Sequence, residues 1–199
     1  MTGAGGATTI GAVKTTIKLP DMVSVGVRQG LGGGWTALGT FEWSNWSRIG
    51  TSTVLQTNGA AATSLSGSAI TLPFQYSDGY FYSAGLEYIL NPAWTVRAGF
   101  AFEKSPVTDL VRTPRLPDND RYWYSVGATN KVNNRLSIDL AYSFIDVVDT
   151  PINLTAGSGN PWFVTGASYV GTASSQVHIL SLGVKYRWDD MPSAALITK

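Results

Sequence analysis

The feature that most limits the folds open to this chain is an apolar/polar alternation that recurs along most of its length. In "RLSIDLAYSFI", residues 135–145, Leu136, Ile138, Leu140, Tyr142 and Phe144 share one face of an extended strand. Arg135, Ser137, Asp139, Ala141 and Ser143 share the other. "WTVRAGFAFE" sets Trp94, Val96, Ala98, Phe100 and Phe102 against Thr95, Arg97, Gly99 and Glu103. "VHILSLGVKYRW" sets Leu180, Leu182, Val184, Tyr186 and Trp188 against Ser181, Gly183, Lys185 and Arg187. Seven such strands are expected, at about 13–29, 35–48, 74–90, 94–105, 120–130, 135–146 and 175–188. No stretch has a convincing helical period.

The connectors alternate too. "GLGGG" (30–34), "NPA" (91–93) and "KVNN" (131–134) read as tight turns, whereas 49–73, 106–119 and 147–174 are long loops rich in Gly, Ser, Thr, Asn and Pro. An antiparallel meander with short turns at one end and long loops at the other is the pattern of bacterial outer-membrane barrels, whose short turns are periplasmic. Each strand also exceeds the roughly 9 to 11 residues that a tilted strand needs to cross the hydrocarbon.

A soluble β-sandwich alternates as well, but its outer faces carry Lys and Glu over an aliphatic core. Here the polar face is largely Ser, Thr and Gly, and only 14% of residues are charged, against about 25% in soluble domains. The apolar face ends in Trp35, Trp43, Trp94 and Trp188 with Tyr80, Tyr82, Tyr88, Tyr122, Tyr124 and Tyr186. Tryptophan and tyrosine at strand ends read as the aromatic girdles of a membrane barrel. In "FEWSNWSRIG", Phe41 and Trp43 then face lipid, Glu42 and Ser44 face a polar lumen, and Trp46 breaks phase at the outer rim. Interface anchoring is the plainer role for both tryptophans, ligand contact the alternative.

Other classes find little support. No run approaches the roughly 18 apolar residues of a membrane-spanning helix. Fourteen Lys and Arg against 13 acids, with no basic run, argue against nucleic acid. Without cysteine there is no disulfide or thiolate metal site; one histidine, His178, reads as a rim residue with polar neighbours, and no catalytic or metal-binding group is expected. "GLGGG" lacks the Lys and Ser/Thr of a phosphate loop. "MTGAGGATTIGAVK" shows no secretory signal.

The blocks "LPDMVSVGVRQ", "FEWSNWSRI", "YSDGYFYSAGLEYILNPAWTVRAGFAFEKSPV" and "RTPRLPDNDRYWYSVGATNKVNNRLSIDLAYSFI" resemble, in order and spacing, the C-terminal half of the FadL-like outer-membrane transporters of long-chain fatty acids and other hydrophobic compounds. The most specific elements are Arg97-Ala98-Gly99, Ser105-Pro106, "LPDND" and Arg121. The resemblance implies an all-β, antiparallel transmembrane barrel of about 14 strands, plugged by an N-terminal hatch and opening laterally. About seven of those strands are present here, and two edges would stay exposed in lipid. The chain therefore reads as a flexible segment at 1–12, the C-terminal half of a barrel at 13–188 and a tail at 189–199, with the hatch, signal peptide and first half absent. Its completing partner is the missing N-terminal half or a second copy. The tail "DDMPSAALITK" departs from the terminal aromatic with which the family's members usually finish.

Function follows as an expectation: passive, cofactor-free passage of a fatty acid or hydrocarbon across the outer membrane of a Gram-negative bacterium, by a protein embedded in outer-membrane lipid. The alternative is a structural or adhesin-like barrel segment without a ligand path. By strand parity Arg28, Glu42, Glu87, Arg97, Asp139, Lys185 and Arg187 point into the lumen. Arg97, Lys185 and Arg187 are candidates for a carboxylate head group and Glu87 for a further ligand contact, with mutual pairing across strands as the plainer role. No Lys or Arg occurs between 49 and 96, so that stretch supplies no cationic clamp. Trp43, Trp46, Asp78, Pro106, Pro117, Asp118 and Arg121 are read as rim and motif positions, Asp118, Asp120 and Arg121 tying the 106–119 loop to the barrel. The 147–174 loop, with Trp162 and Phe163, either captures ligand or packs on the rim.

Overall fold

The computed structural model describes residues 12–56, 60, 62 and 69–188; the 189–199 tail and nearly all of the 1–12 segment lie outside them. Eleven strands form among the described residues: β1 (Val13–Lys14), β2 (Met22–Gly32), β3 (Trp35–Ser44), β4 (Thr51–Thr53), β5 (Leu55–Gln56), β6 (Thr71–Pro73), β7 (Gly79–Ile89), β8 (Trp94–Lys104), β9 (Arg121–Lys131), β10 (Leu136–Leu154) and β11 (Tyr169–Tyr186). Seven make one antiparallel sheet in the order β11-β10-β9-β8-β7-β3-β2, so each long strand lies beside its neighbour in sequence. The other four pair off as β1 with β5 and β4 with β6, outside the main sheet.

The turns are short for chemical reasons. Gly32, Gly33 and Gly34 all have positive φ (85°, 58° and 86°), so three successive left-handed residues reverse the chain between β2 and β3. A Cβ on Gly34 would stand 3.2 Å from the Ile89 carbonyl oxygen. At the β7–β8 turn the Asn91 side-chain oxygen accepts from the N–H of Ala93 and of Trp94, each at 2.9 Å. Asn133 repeats the device at the β9–β10 turn, accepting from Arg135 and Leu136 at 2.8 and 2.9 Å.

Several strand boundaries differ from the alternation. The strand expected at 13–29 enters the main sheet only at Met22, because Pro20 and Asp21 break it, and Val13–Lys14 pair with β5 instead; the Asp21 carbonyl accepts the Asn45 N–H at 2.8 Å and its side chain ion-pairs with Arg48. The strands expected at 35–48 and 74–90 are trimmed to 35–44 and 79–89, with Trp46–Arg48 forming a short 3-10 turn. Half of the expected 147–174 loop is strand: past a bulge at Val147/Thr150, β10 and β11 keep pairing to Leu154 and Tyr169. Pro151 is tolerated there because β9 leaves β10 at Val147, so the side of β10 lacking an N–H has no ladder to join.

Among the described residues almost no hydrophobic core forms under the sheet: the buried apolar ones are Ile49, Ala62, Ala101, Val107, Val111, Ile145 and Ile152, most of them under the long loops. The apolar face is the outer one: Leu182 is 72% exposed and Val126 56%, while the polar face alternates as half-buried, as in a sheet curled around its polar side. Strands of 11 residues, at about 3.3 Å each and tilted about 45°, match an apolar band about 25 Å tall. Rings line both rims of that band. Trp35 stacks on Tyr88 at 4.4 Å at the short-turn end; at the long-loop end Phe41 meets Tyr82 (5.3 Å), Phe100 meets Tyr124 (5.4 Å) and Phe102 meets Tyr122 (5.3 Å). His178 lies on this outer face, not among polar neighbours: its ring is 5.1 Å from that of Phe144, and its Nδ1 is 2.7 Å from the Tyr142 hydroxyl. Its register partner Phe144 puts it on the apolar parity.

Candidate ligand-contact surface

Parity collects the charged side chains on the inner face, and register brings them together. Glu87 and Arg97 are direct partners on β7 and β8, and the Arg97 Nε donates to Glu87 at 2.7 Å. Arg28, reaching across β3, holds the other Glu87 oxygen at 2.8 Å. Arg97 Nη1 donates to the Thr129 hydroxyl at 2.7 Å, Thr129 donates to Asp139, and Lys185 lies 3.7 Å from Asp139. The result is a polar ribbon running from β2 to β11. Its exposed pairs each contribute at most about 1 kcal/mol, so it sets register and wetness more than stability. Three predicted ligand residues, Glu87, Arg97 and Lys185, thus sit in the ribbon already paired. Arg187 stands just beyond β11, its N–H donating to the Arg135 carbonyl at 2.8 Å.

Towards the long-loop end, the ribbon gives way to a depression of about 370 Å³ whose lining includes Leu38, Phe81, Gly85, Gly99, Trp123 and Gly127. Gly85 faces Gly99 across β7 and β8, and Gly127 faces Arg97 across β8 and β9, so backbone is bare at these positions, with the small side chains of Ser83, Ala101 and Ser125 beside it. Phe81 and Trp123 form the upper wall, edge to face at 6.4 Å, and the Trp123 indole donates to Glu103 at 3.1 Å. A floor of glycines and small side chains with aromatic walls can hold an apolar molecule by contact, and beside Ser83 and Ser125 it offers one charged neighbour, Arg97. Neither aromatic was singled out from the sequence, yet the signal was present. In "YFY" (80–82) and "YWY" (122–124) the outward tyrosines force the middle ring inward.

The rim residues form two ties. Trp43 donates its indole N–H to Asp78 at 2.9 Å, and the Ser47 N–H reaches the other Asp78 oxygen at 3.3 Å; these bonds, Trp43's first, hold the Asp78 carboxyl below its ordinary pKa. Trp46 packs its ring 6.4 Å from Tyr76, whose hydroxyl is pushed up first by burial and then by the Asp118 charge. At the second tie the Pro106 carbonyl accepts from the N–H and hydroxyl of Ser77 at 2.8 and 3.1 Å. Asp118 accepts from Ser105 and Arg121, and Asp120 accepts the Ser105 N–H at 2.9 Å. Pro117 is exposed beside Asp118. At the rim, Arg112 is a residue that sequence reasoning missed. It is 1% exposed and donates to the carbonyls of Asp118 (2.8 Å), Pro151 (3.0 Å) and Val107 (3.4 Å) and to Asp109. The 147–174 region packs on this rim: Asn160 donates to the Arg112 carbonyl at 2.9 Å, and Trp162 lies 5.6 Å from Phe74.

A family profile described as "Outer membrane protein transport protein (OMPP1/FadL/TodX)" matches residues 2–188. The chain belongs to this family. It is similar to the long-chain fatty acid transport protein of Escherichia coli K12, 31% identical over 153 residues, which is 76% of this chain and 32% of that protein. It is also similar to outer membrane protein P1 of Haemophilus influenzae Rd, 30% identical over 65% of this chain and 27% of that protein. Among solved structures, a Pseudomonas aeruginosa FadL homologue overlays 88% of the chain with TM-score 0.73 and 25% identity, the chain covering 37% of it. The P. putida toluene transporter TodX shares the fold at TM-score 0.55 and 16% identity. The chain thus spans about a third of the length of the curated relatives it matches. It is an outer-membrane protein of the Gram-negative type, from a family of hydrophobic-compound transporters, and its seven-stranded sheet corresponds to part of their barrel wall.

Proposed function

We propose that this chain supplies the C-terminal strands of the wall of a passive outer-membrane conduit for hydrophobic compounds, fatty acids or hydrocarbons, without enzymatic chemistry. The observation that carries the reading is the depression floored by Gly85, Gly99 and Gly127: apolar contact surface on a lumen face that is otherwise polar. Arg97 is the group at its border that meets a carboxylate head, with Glu87 as its counter-charge. The names of the relatives cover both an acid and an aromatic hydrocarbon, in keeping with a surface that reads the tail more than the head.

Ligand protection tests this. Laurate or toluene at about a hundred times its Kd should stabilise the folded chain by about 2.7 kcal/mol, read as a shift in its urea midpoint. Gly99→Leu should abolish the shift and leave the fold intact, because a Cβ at Gly99 meets only ordinary contacts, 3.5 Å to the Ala84 oxygen. If neither compound shifts the midpoint, the chain is a structural or adhesin-like wall segment instead.

A further inference from the structure

Three adjacent strands change character at the same level of the inner face. From the long-loop end towards the short-turn end, β9 passes from Trp123 to Ser125 and Gly127, β10 from Ile145 to Ser143 and Ala141, and β11 from Val177 and Ile179 to Ser181 and Gly183. Register sets these changes side by side: Trp123 is opposite Ile145, and Ile145 is opposite Val177. On its other side Trp123 is opposite Ala101 of β8, so four apolar residues form one row from β8 to β11, about 14 Å long at about 4.8 Å per strand. Ala101 and Trp123 already line the glycine-floored depression, and the row begins there. Ala101 and Ile145 are each 5% exposed, but Val177 is 41% and Ile179 40% exposed, so among the described residues the row ends uncovered at the free edge of β11. Lipid contact does not account for this pair, because His178 and Leu180 take the outer face of the same strand. Charge borders the row on both sides. Towards the long-loop end stand Arg121 and Glu103, 3.8 Å apart, and towards the short-turn end the Thr129, Asp139 and Lys185 part of the ribbon.

We infer that the ligand-contact surface does not stop at the depression: it continues sideways along this row to the edge of β11, where Val177 and Ile179 set how long an apolar tail the wall accepts. The inference rests on the transport reading of the depression and adds to it a direction and a length. A single aromatic ring is satisfied within the depression, between its glycines and the rings of Phe81 and Trp123. An extended decyl chain reaches past Trp123 and over Ile145 to Val177, and each further methylene gains by leaving water for aliphatic contact. A tail lying along the strands instead would have to desolvate Arg121 and Glu103 at one end or the ribbon at the other, so the row across the strands is the apolar way out of the depression.

Calorimetric titration of the detergent-folded chain with toluene and with decan-1-ol tests this. V177S/I179S should weaken decan-1-ol binding about tenfold, the worth of partly burying two aliphatic side chains, and leave toluene binding unchanged. V177I/I179V, which keeps the apolar contact, should bind both probes as the parent chain does. Without ligand, the urea midpoint of V177S/I179S should equal that of the parent, since both side chains are exposed at an edge. If decan-1-ol binds V177S/I179S as tightly as it binds the parent, or if both probes weaken together, the row is not a ligand surface, and the depression and the transport reading stand without it. If the parent binds neither probe, the depression fails and the row with it.

Discussion

Asp78 shows how one side chain can join two segments. It follows the Tyr76–Ser77 stretch, immediately before β7, and its two oxygens take the Trp43 indole from the end of β3 and the Ser47 N–H from the short 3-10 turn. Both bonds favour the carboxylate, so its folded pKa lies below the ordinary value. The sign follows from linkage. A depressed pKa means that the tie contributes fully above the unfolded value of about 3.9 and is lost as pH falls through the lower folded value. The Trp43 indole N–H resonance should therefore hold its position from neutral pH down to about pH 4 and shift only below it, whereas Asp78→Asn should show no such acid transition. A resonance that moves near neutral pH would contradict the assignment. Trp43 and Asp78 were legible as motif positions; their bond was not, since 35 residues separate them.

At the scale of elements, the membrane strands and the outer loops obey different rules. The strands need no core, because one face meets lipid and the other a wet lumen, so alternation alone specifies them. The loops must bury something to be ordered, and they bury Val107, Val111, Ile152 and, unusually, Arg112. Arg112 clamps the 106–119 loop to the extended β10–β11 hairpin through the Pro151 carbonyl, on the side of β10 that β9 has left. Arg112→Leu strips three backbone carbonyls of their donor and should cost about 3 kcal/mol. Trypsin should then cut after the exposed Arg115 at least about tenfold faster than in the parent chain, as that loss of local stability implies. Unchanged cleavage would mean that the loop is held by Ser105, Asp118 and Asp120 instead. The hairpin extension reads as loop in the sequence because Pro151 and the Gly- and Asn-rich stretch after it are turn signals.

For the whole molecule the decisive number is odd. With seven antiparallel strands, the edge strands β2 and β11 run in the same direction, from the long-loop end to the short-turn end. Two copies could close a barrel only through two parallel seams, and one copy leaves two rows of unpaired backbone groups, each costing several kcal/mol in lipid. Detergent-folded chain should accordingly show no heat-modifiable compact band at its monomer mass of 21.2 kDa, and light scattering should report a larger particle. A heat-modifiable monomer would mean that the sheet closes on itself. What the sequence determined by itself was everything that strand geometry makes local: which residues face lipid, where the aromatic rings fall, which turns are tight, and that Glu87, Arg97 and Lys185 share a face. What only the tertiary structure decided was what lies far apart in the chain, such as Arg112 against Pro151, 39 residues away, Val13 paired with Gln56, and the gathering of Lys131 with Arg187. Alternation with period two is a property of each strand alone, whereas these contacts depend on how segments of different strands and loops are brought together, which no local pattern encodes.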